Sequence, residues 1–291
     1  MKKLKKVLLY GSGVMLLLLL LAAMVFQVNF YWRAQKDYVV KVRPVEITYT
    51  TEAIQQGRHL AVVKGCNDCH GQDMGGKAML DDPAIGFVSA PNITKGAGGL
   101  PADYSEADYV RALRHGLGKD NKSLLIMPAH ETSKLSDKDV AALVAYCMQL
   151  PPVNRTLPES DFNMMGKALT TFGLIPAFAA EGVDHTYIQP KEMLQEVSVK
   201  YGKYLAVSCS GCHKADYKGG PSPVLGFPPI PNISSTGRVG NWSKAQFAAV
   251  LKTGQLPDGR IMRNEDMPWK MTRHYTTEEV ESIYLYLRSL K

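Results

Sequence analysis

The chain has 291 residues, 45% of them hydrophobic, and a formal charge of +7. This length suits two domains of ordinary size with accessory segments. Lys2, Lys3, Lys5 and Lys6 supply four of the 34 basic residues, so the rest of the chain carries 30 basic against 27 acidic residues, a net charge of +3. Because the sequence has no basic stripe interleaved with aromatic residues, we expect no nucleic-acid partner.

The first predicted element is an uncharged apolar segment behind these lysines. Its most hydrophobic part, Val7–Val28, has 22 residues, and a helix of that length spans about 33 Å, enough to cross a hydrocarbon core of about 30 Å. A cleaved signal peptide has a shorter apolar region and a small-x-small cleavage site. We therefore predict an uncleaved single-pass anchor within residues 1–29 and a stalk over 30–50. The lysines predict a cytoplasmic N-terminus, with the bulk of the chain on the periplasmic side of the inner membrane.

The rest of the chain contains two copies of one sequence pattern, with matched segments 138 to 145 residues apart. Such an internal repeat predicts two copies of one domain, over residues 51–152 and 198–291. The matched segments are GRHLAV at 57 and GKYLAV at 202, APNIT at 90 and IPNIS at 230, YSEADYVRALRHG at 104 and WSKAQFAAVLKTG at 242, and LSDKDVAALVAYCMQL at 135 and YTTEEVESIYLYLRSL at 275.

Each copy has the pattern of helices joined by loops, which predicts an all-α fold. A capping box precedes two helices in each copy, and a glycine, Gly116 or Gly254, ends the first helix of each such pair. Apolar residues follow the caps at helical spacing. The four predicted caps are Ser105 with Asp108, Ser136 with Asp139, Ser243 with Gln246 and Thr276 with Glu279.

Residues 153–197 connect the two copies and contain the apolar run MMGKALTTFGLIPAFAA. A free linker would be more polar. We therefore expect this connector to pack between the domains, and we predict a short helix near Phe162–Phe172.

Four of the five cysteines form two C-x-x-C-H motifs, one in each copy. C-x-x-C-H is the attachment signature of c-type haem. Residues three apart share one face of a helix, so both thiols can reach the two vinyl groups of one porphyrin, and the histidine that follows becomes an iron ligand. We therefore predict two covalently bound c-type haems. The motifs are Cys66, Cys69 and His70, and Cys209, Cys212 and His213.

Other sites also use cysteine pairs. A zinc site needs four ligands, and neither motif has a second pair nearby; a thioredoxin-like site needs a βαβ setting; a disulfide between loops is the third alternative in an oxidising compartment. The fifth cysteine, Cys147, aligns with Leu287 on the apolar face of the last helix. We predict that Cys147 is a small hydrophobe in the core, with a free reactive thiol or a disulfide partner as the alternative.

A methionine followed by a proline recurs at an offset of 140, as Met127-Pro128 and Met267-Pro268. A thioether sulfur is a soft ligand that favours ferrous iron, so Met127 and Met267 are predicted to be the sixth ligands of the two irons. Core packing is the alternative role for any methionine. The competing ligands are Met262 and Met271 in the second copy and His130 in the first.

Two further pairs of residues recur near the predicted haems. Pro91 and Pro231 follow the two motifs, and a carbonyl there is expected to hold the N–H of the ligand histidine and so fix its tautomer. Tyr104 and Trp242 are expected either to pack over a cofactor edge or to hydrogen-bond a propionate. Histidines without a counterpart in the other copy are expected to be surface or packing residues, and these are His59, His115, His185 and His274.

The motifs CNDCH with Met127-Pro128 and CSGCH with Met267-Pro268 resemble two class I cytochrome c domains in tandem. The P-N-I-[ST] segment, the helix ending in Gly and the L-P-P-V after the first copy are similar to membrane-bound cytochrome subunits of periplasmic alcohol and gluconate dehydrogenases, and to diheme electron carriers. The resemblance covers about residues 51–152 and 198–291. It implies a small helical domain around each haem, with one haem edge near the surface.

An iron with both a histidine and a methionine ligand has no vacant position for substrate, but it can exchange an electron with little rearrangement. We therefore predict an electron carrier, not an enzyme, which passes electrons from a quinol or dehydrogenase donor to an oxidase or a soluble cytochrome. One alternative is a diheme redox enzyme of the peroxidase or thiosulfate dehydrogenase type, which needs an iron that opens. A haem-based sensor or assembly factor is the other.

Overall fold

The computed structural model describes residues 2–222 and 228–291; residue 1 of the predicted anchor segment and residues 223–227 of the second predicted domain lie outside the described residues. The described chain is mostly helical, as predicted. Its helices are α1 (Lys2–Ala34), α2 (Thr51–Val63), α3 (Cys66–His70), α4 (Glu106–His115), α5 (Ala129–Thr132), α6 (Asp137–Met148), α7 (Met164–Thr171), α8 (Val199–Ala206), α9 (Ser210–His213), α10 (Lys244–Thr253), α11 (Trp269–Thr272) and α12 (Thr277–Ser289). Its strands are β1 (Lys77–Asp82), β2 (Gly86–Ala90) and β3 (Asp161–Phe162).

Helix α1 exposes apolar side chains along its length. It has 33 residues, about 50 Å of helix, and it is long and apolar enough to cross a membrane. The helix continues to Ala34, and its last turns pack on the connector, where the Phe30 ring lies 5.4 Å from Phe162 and 5.0 Å from Phe178 between centroids.

The first and last helices of each copy cross in direct backbone contact. A β-carbon at Gly57 of α2 would lie 1.9 Å from the Ala142 carbonyl oxygen of α6, and one at Gly202 of α8 would lie 1.8 Å from the Ser282 oxygen of α12. Any side chain at either glycine would push the two helices apart, because interiors are close-packed. The repeat GRHLAV and GKYLAV therefore marks the same crossing in both copies.

Three of the four predicted capping boxes are complete, and these are Ser105 with Asp108, Ser243 with Gln246 and Thr276 with Glu279. In the fourth, Ser136 accepts the bond from the Asp139 N–H, but the Asp139 carboxylate accepts a hydrogen bond from the Tyr204 hydroxyl of the second copy. Gly116 and Gly254 end their helices with left-handed φ angles of 65° and 73°, as predicted.

A small antiparallel sheet in the order β1-β2-β3 adds to the helices. The hairpin β1–β2 belongs to the first copy, and β3 comes from the connector, with Gly86 paired with Phe162. Val88 and Phe162 form a small second core with Phe178, against which Phe30 of α1 packs. This sheet differs from the predicted all-α fold, because β3 pairs with a strand about 75 residues away, which no local sequence pattern signals.

The two copies share one continuous apolar core and contact each other reciprocally. The His59 Nε2 of α2 lies 2.9 Å from Glu279 Oε1 at the start of α12, and Tyr204 of α8 bonds Asp139 at the start of α6. Each copy thus places a residue of its first helix on the acidic N-terminus of the last helix of the other copy. His59 is therefore a packing residue, as predicted for histidines that do not recur.

The connector packs mainly against the first copy. The Arg155 guanidinium donates to both carboxylate oxygens of Asp73, and the Asn92 side-chain amide donates to the Val153 carbonyl at 2.7 Å. Further along, Met193 packs against the core that the two copies share. Helix α7 confirms the short helix predicted near Phe162–Phe172.

Candidate haem-binding sites

The first C-x-x-C-H motif forms one short helix. Gly65 has a left-handed φ of 73° and leads from α2 into α3, which holds Cys66, Cys69 and His70 within little more than one turn. Gly71 then ends the helix with φ 81° and ψ 161°. Both thiols therefore project from one face of the helix, and the imidazole follows them.

The second motif reaches a similar arrangement by another route. A 3₁₀ turn, Val207–Cys209, runs into α9, which carries Cys212 and His213. The next residue, Lys214, takes φ 64° and ψ 168°, close to the angles of Gly71. A lysine with positive φ is unusual, so the turn after the histidine is imposed by the surrounding fold in both copies.

Each motif histidine is held by the carbonyl that the sequence analysis named. His70 Nδ1 lies 2.8 Å from the Pro91 oxygen, and His213 Nδ1 lies 2.8 Å from the Pro231 oxygen. A carbonyl oxygen only accepts, so Nδ1 carries the proton in both rings and the lone pair of Nε2 is free for a metal. Burial lowers the pKa of both imidazoles, which keeps them neutral near pH 7.

The turns that present these carbonyls are built alike, by residues whose role the sequence analysis missed. The side-chain oxygens of Asn92 and Asn232 each accept bonds from the backbone and hydroxyl two residues on. Met74 and Tyr217, both with positive φ, accept the N–H of the residue after each asparagine. The recurrence of Pro-Asn in both copies was the sequence signal for this support.

The two Met-Pro turns have the same backbone conformation. Pro128 and Pro268 both have φ −77°, with ψ 56° and 62°. The carbonyl oxygens of Met127 and Met267 accept bonds from the residue after each proline, at 2.8 and 2.7 Å. Both methionines are partly buried against the shared core.

A threonine fastens each Met-Pro turn to the glycine-ended helix of its copy. Thr132 Oγ1 donates to the Leu113 carbonyl at 2.6 Å, and Thr272 Oγ1 donates to the Leu251 carbonyl at 2.8 Å. The two copies therefore hold Met127 and Met267 in matching frames, which favours these two residues as a pair of equivalent ligands.

The competing ligands occupy different surroundings. Met271 points to the other copy, because a β-carbon at Gly65 would lie 3.1 Å from its sulfur. The side chain of His130 is 46% exposed, with Nε2 3.7 Å from Glu131. Met262 lies five residues before Met267, where its carbonyl oxygen accepts a bond from Trp269 Nε1.

Tyr104 and Trp242 both pack in or against the shared core. Tyr104 is buried, its hydroxyl donates to the Asp108 carbonyl at 3.3 Å, and its ring meets Tyr109 edge to face. Trp242 is partly buried against the shared core. The bond made by the Tyr104 hydroxyl favours the packing role over a bond to a propionate.

The donor set fits a haem better than a bare ion. None of the five cysteines takes part in a disulfide, and burial raises the pKa of the Cys66 thiol and of the Cys209 thiol to about 12. No cluster of three or more His, Cys, Asp or Glu residues suited to a metal ion occurs within residues 2–222 and 228–291, although a protein zinc site needs such a cluster. Cys147 packs against the core, which confirms its prediction as a core residue.

Comparison with known proteins agrees with this geometry. Residues 54–151 and 199–291 each match the family model described as cytochrome c. The chain belongs to the cytochrome c family. It therefore has two cytochrome c domains in tandem, as the resemblance implied, and domains of this family hold a covalently bound c-type haem.

The cytochrome is also similar to cytochrome subunits of several dehydrogenases. It is 26% identical over 282 residues to the fructose dehydrogenase cytochrome subunit of Gluconobacter japonicus, covering 86% of this chain and 56% of that protein. It is 27% identical over 270 residues to the cytochrome c subunit of the quinone alcohol dehydrogenase of Gluconobacter oxydans, covering 81% and 54%. The gluconate 2-dehydrogenase cytochrome c subunit of Pantoea cypripedii is 26% identical over 265 residues, with 81% and 59% covered.

The chain thus spans just over half the length of the curated relatives it matches. Their names describe cytochrome subunits of dehydrogenases, which agrees with an electron carrier rather than an enzyme. The resemblance to dehydrogenase cytochrome subunits drawn from the sequence is confirmed.

Proposed function

We propose that the protein is a membrane-anchored diheme cytochrome c that carries electrons away from a periplasmic dehydrogenase or a quinol. The proposal depends mainly on an arrangement that occurs in both domains. In each domain the motif histidine bonds a proline carbonyl, and a threonine bonds the Met-Pro turn to a neighbouring helix. Two such sets in one chain support two haems, with Cys66 and Cys69 attaching one and Cys209 and Cys212 the other.

The proposed axial ligands are His70 and Met127 for the first iron, and His213 and Met267 for the second. A haem bound in each site would supply an iron that cycles between the ferric and ferrous states. The chain contributes a neutral imidazole with a fixed tautomer and a soft sulfur, a combination that raises the reduction potential. Pro91, Pro231, Tyr104 and Trp242 are proposed to line the two pockets.

The segments that lead into the two motifs touch across the shared interface. Lys64 Nζ donates to the Leu205 carbonyl at 3.3 Å and to Ser208 Oγ at 3.1 Å, and the Tyr275 hydroxyl donates to the Val63 carbonyl at 3.3 Å. This contact supports the passage of electrons from one haem to the other within a single chain. The entry and exit partners are proposed to be a dehydrogenase or quinol, and an oxidase or soluble cytochrome.

Helix α1 is proposed to anchor the protein in the inner membrane, with its N-terminus in the cytoplasm and both domains in the periplasm. Four lysines precede the apolar segment and Arg33 follows it, a distribution that favours this orientation.

Mass spectrometry of the full-length chain tests the haem assignment. The wild type should carry two covalent haem adducts, and Cys66→Ala with Cys69→Ala, or Cys209→Ala with Cys212→Ala, should carry one. Cys147→Ala is the matched control and should keep both adducts, because Cys147 lies in the core. A wild-type chain without adducts, or a double variant that keeps two, would contradict the proposal.

Spectra of the oxidised protein test the axial ligands. Met127→Ala and Met267→Ala should each remove about half of the iron–sulfur charge-transfer band, while Met262→Ala and Met271→Ala should leave the band intact. A full band in either of the first two variants would show that another residue is the ligand. A high-spin haem or rapid carbon monoxide binding in the wild type would favour a diheme redox enzyme instead.

A further inference from the structure

The connector helix α7 carries its apolar stripe on the outside. Met165, Ala168, Leu169 and Phe172 follow the spacing i, i+3, i+4, i+7 and share one face. Met165 is 54% and Phe172 is 69% exposed, and the two residues between them are half-buried. A surface helix normally turns this face toward the core, so the stripe of α7 needs another apolar environment.

The buried side of α7 is instead small and polar. Gly166 and Thr170 point into the protein, and a β-carbon at Gly166 would lie 2.2 Å from the Ile85 carbonyl oxygen of the hairpin. This close approach fixes the rotation of α7 about its axis. The outward direction of the apolar stripe is therefore built into the fold.

Helix α7 lies directly beside the outer end of α1. Lys167 Nζ donates to Gln27 Oε1 at 3.0 Å, and Thr171 Oγ1 donates to Asn29 Oδ1 at 3.2 Å. The Phe172 ring meets Phe26 edge to face, with centroids 5.6 Å apart. The polar bonds are made at Gln27 and Asn29, around the end of the apolar segment Val7–Val28, and the ring contact lies within that segment.

Arg33, near the same end of α1, also contacts the connector. The Arg33 guanidinium donates to the Thr170 carbonyl at 2.9 Å and to both carboxylate oxygens of Glu181, and it lies over the Phe178 ring. Helix α1 is therefore joined to the connector by several side-chain contacts.

These contacts set the depth of α7. The apolar segment Val7–Val28 spans about 33 Å, so its outer end lies where the hydrocarbon core of about 30 Å gives way to headgroups. Phe26 sits about 3 Å inside that end, and Phe172 is at the same level. Leu174, 62% exposed, follows in the next turn. Gln27, the partner of Lys167, lies at that end, and Arg33 lies about 7 Å beyond it, at the height of the lipid headgroups, whose anionic members attract cations.

We propose that α7 lies in the outer interface of the membrane, with the stripe Met165–Phe172 and Leu174 in contact with lipid, so that α1 and α7 together hold the first domain in one orientation over the bilayer. The exposed apolar surface of α7 continues that of α1, which is the argument for lipid as its occupant. An interfacial helix of this kind buries its apolar face about 5–10 Å into the boundary region. The proposal rests on the anchoring by α1 proposed above.

Cysteine labelling in pure lipid vesicles tests the proposal. The full-length holoprotein with Cys147→Ser receives one of three single cysteines: Phe172→Cys in the stripe, Leu18→Cys in the middle of α1, or Ile261→Cys, an apolar residue of the second domain that is 59% exposed. Each variant is reacted with a water-soluble maleimide. The Phe172 site should react at least tenfold more slowly than the Ile261 site, and the Leu18 site should not react until the vesicles are dissolved. A lipid-soluble diazirine should also label residues 164–174 of the wild type.

The outcomes separate this proposal from the anchoring itself. Rapid reaction at residue 172 while residue 18 is protected means that α1 spans the bilayer but α7 stands in water, which overturns the proposal alone. Rapid reaction at both sites overturns the anchoring and the proposal together. Slow reaction at residue 172 without diazirine labelling means that protein covers the stripe, which also overturns lipid as its occupant.

Discussion

The first domain carries the hairpin β1–β2, and both the connector and α1 pack on it, whereas the described part of the second domain meets the rest of the chain chiefly through the shared core. Yet the His-to-proline bonds differ by less than 0.1 Å between the domains, and the Met-Pro turns match in ψ to within 6°. The parts proposed to hold the haems are thus repeated closely, and the parts that attach the domains to other elements differ. Attachment to the anchor is a property of the first domain alone among the described residues.

The two sides of the interface between the domains also differ in single residues. Equivalent positions on the two sides hold His59 and Tyr204, and Glu131 and Met271. Glu131 is bonded to Ser208 and faces the Lys64 ammonium, while Met271 approaches Gly65 of the first motif. One side of the interface therefore buries ionisable groups near a motif, and the other side places a thioether there.

The largest expected effect tests whether the two helix crossings are equivalent. In a helix, Gly→Ala normally stabilises by about 1 kcal/mol, but a β-carbon at Gly57 or Gly202 would lie within 2 Å of a backbone oxygen. Overpacking typically costs about 1–3 kcal/mol and occasionally more, and a contact this close lies at the upper end of that range. We expect Gly57→Ala and Gly202→Ala each to lower the thermal midpoint by roughly 10–20 °C, measured by circular dichroism.

The control for this pair is Gly182→Ala, whose β-carbon would meet only the His130 β-carbon at 3.6 Å. Its free energy of unfolding should change by no more than about 0.5 kcal/mol, as for an ordinary surface substitution, so its thermal midpoint should stay close to that of the wild type. A wild-type midpoint in Gly57→Ala or Gly202→Ala would refute the close crossing. A large drop in only one of the two would refute the equivalence of the domains.

The second prediction compares the two reciprocal contacts. The buried Tyr204 hydroxyl accepts a bond from the Ser136 N–H at 2.9 Å and donates to the Asp139 carboxylate. Tyr204→Phe removes this hydroxyl from both buried groups and should lower the free energy of unfolding by about 1–3 kcal/mol. His59→Gln should cost less than about 1 kcal/mol, because the His59 side chain is 25% exposed and the Thr276 N–H still donates to Glu279. Chemical denaturation measures both, and equal losses would contradict the difference between the contacts.

The third prediction is a pH dependence confined to one side of the interface. Burial raises the pKa of the Glu131 carboxyl to about 7, against the opposing influence of Lys64. The folded state therefore binds the proton more tightly than the unfolded state, so stability from this group is full below about pH 4.5 and is lost as the pH rises through 7. Glu131→Gln should flatten the fall of the thermal midpoint between pH 5 and pH 8.

Glu265→Gln, on an exposed loop, is the control and should keep the pH dependence of the wild type. The prediction fails when Glu131→Gln and the wild type show the same slope between pH 5 and pH 8.

Much of each site was accessible from the sequence because its determinants are short and occur twice. The C-x-x-C-H motif fits within about one helical turn, and a cap is decided by residues three apart, so Ser105 with Asp108 could be predicted without any tertiary contact. Comparison of the copies then selected Met127 among thirteen methionines as the predicted ligand, and it selected the Pro91 carbonyl, which contacts His70. The support by Asn92 and the positive φ of Met74 were missed, because both depend on how a loop folds back on itself.

The sequence alone determined which side chains are proposed to attach and ligate haem, since thiol, imidazole and thioether chemistry resides in the side chains and their local spacing. Only the tertiary structure decided what surrounds them: the strand β3 on β2, the reciprocal pairs His59–Glu279 and Tyr204–Asp139, and the docking of α7 beside Phe26. Each of these joins residues between 65 and 220 positions apart. Their arrangement follows from the simultaneous packing of the whole chain, which no short stretch of sequence specifies.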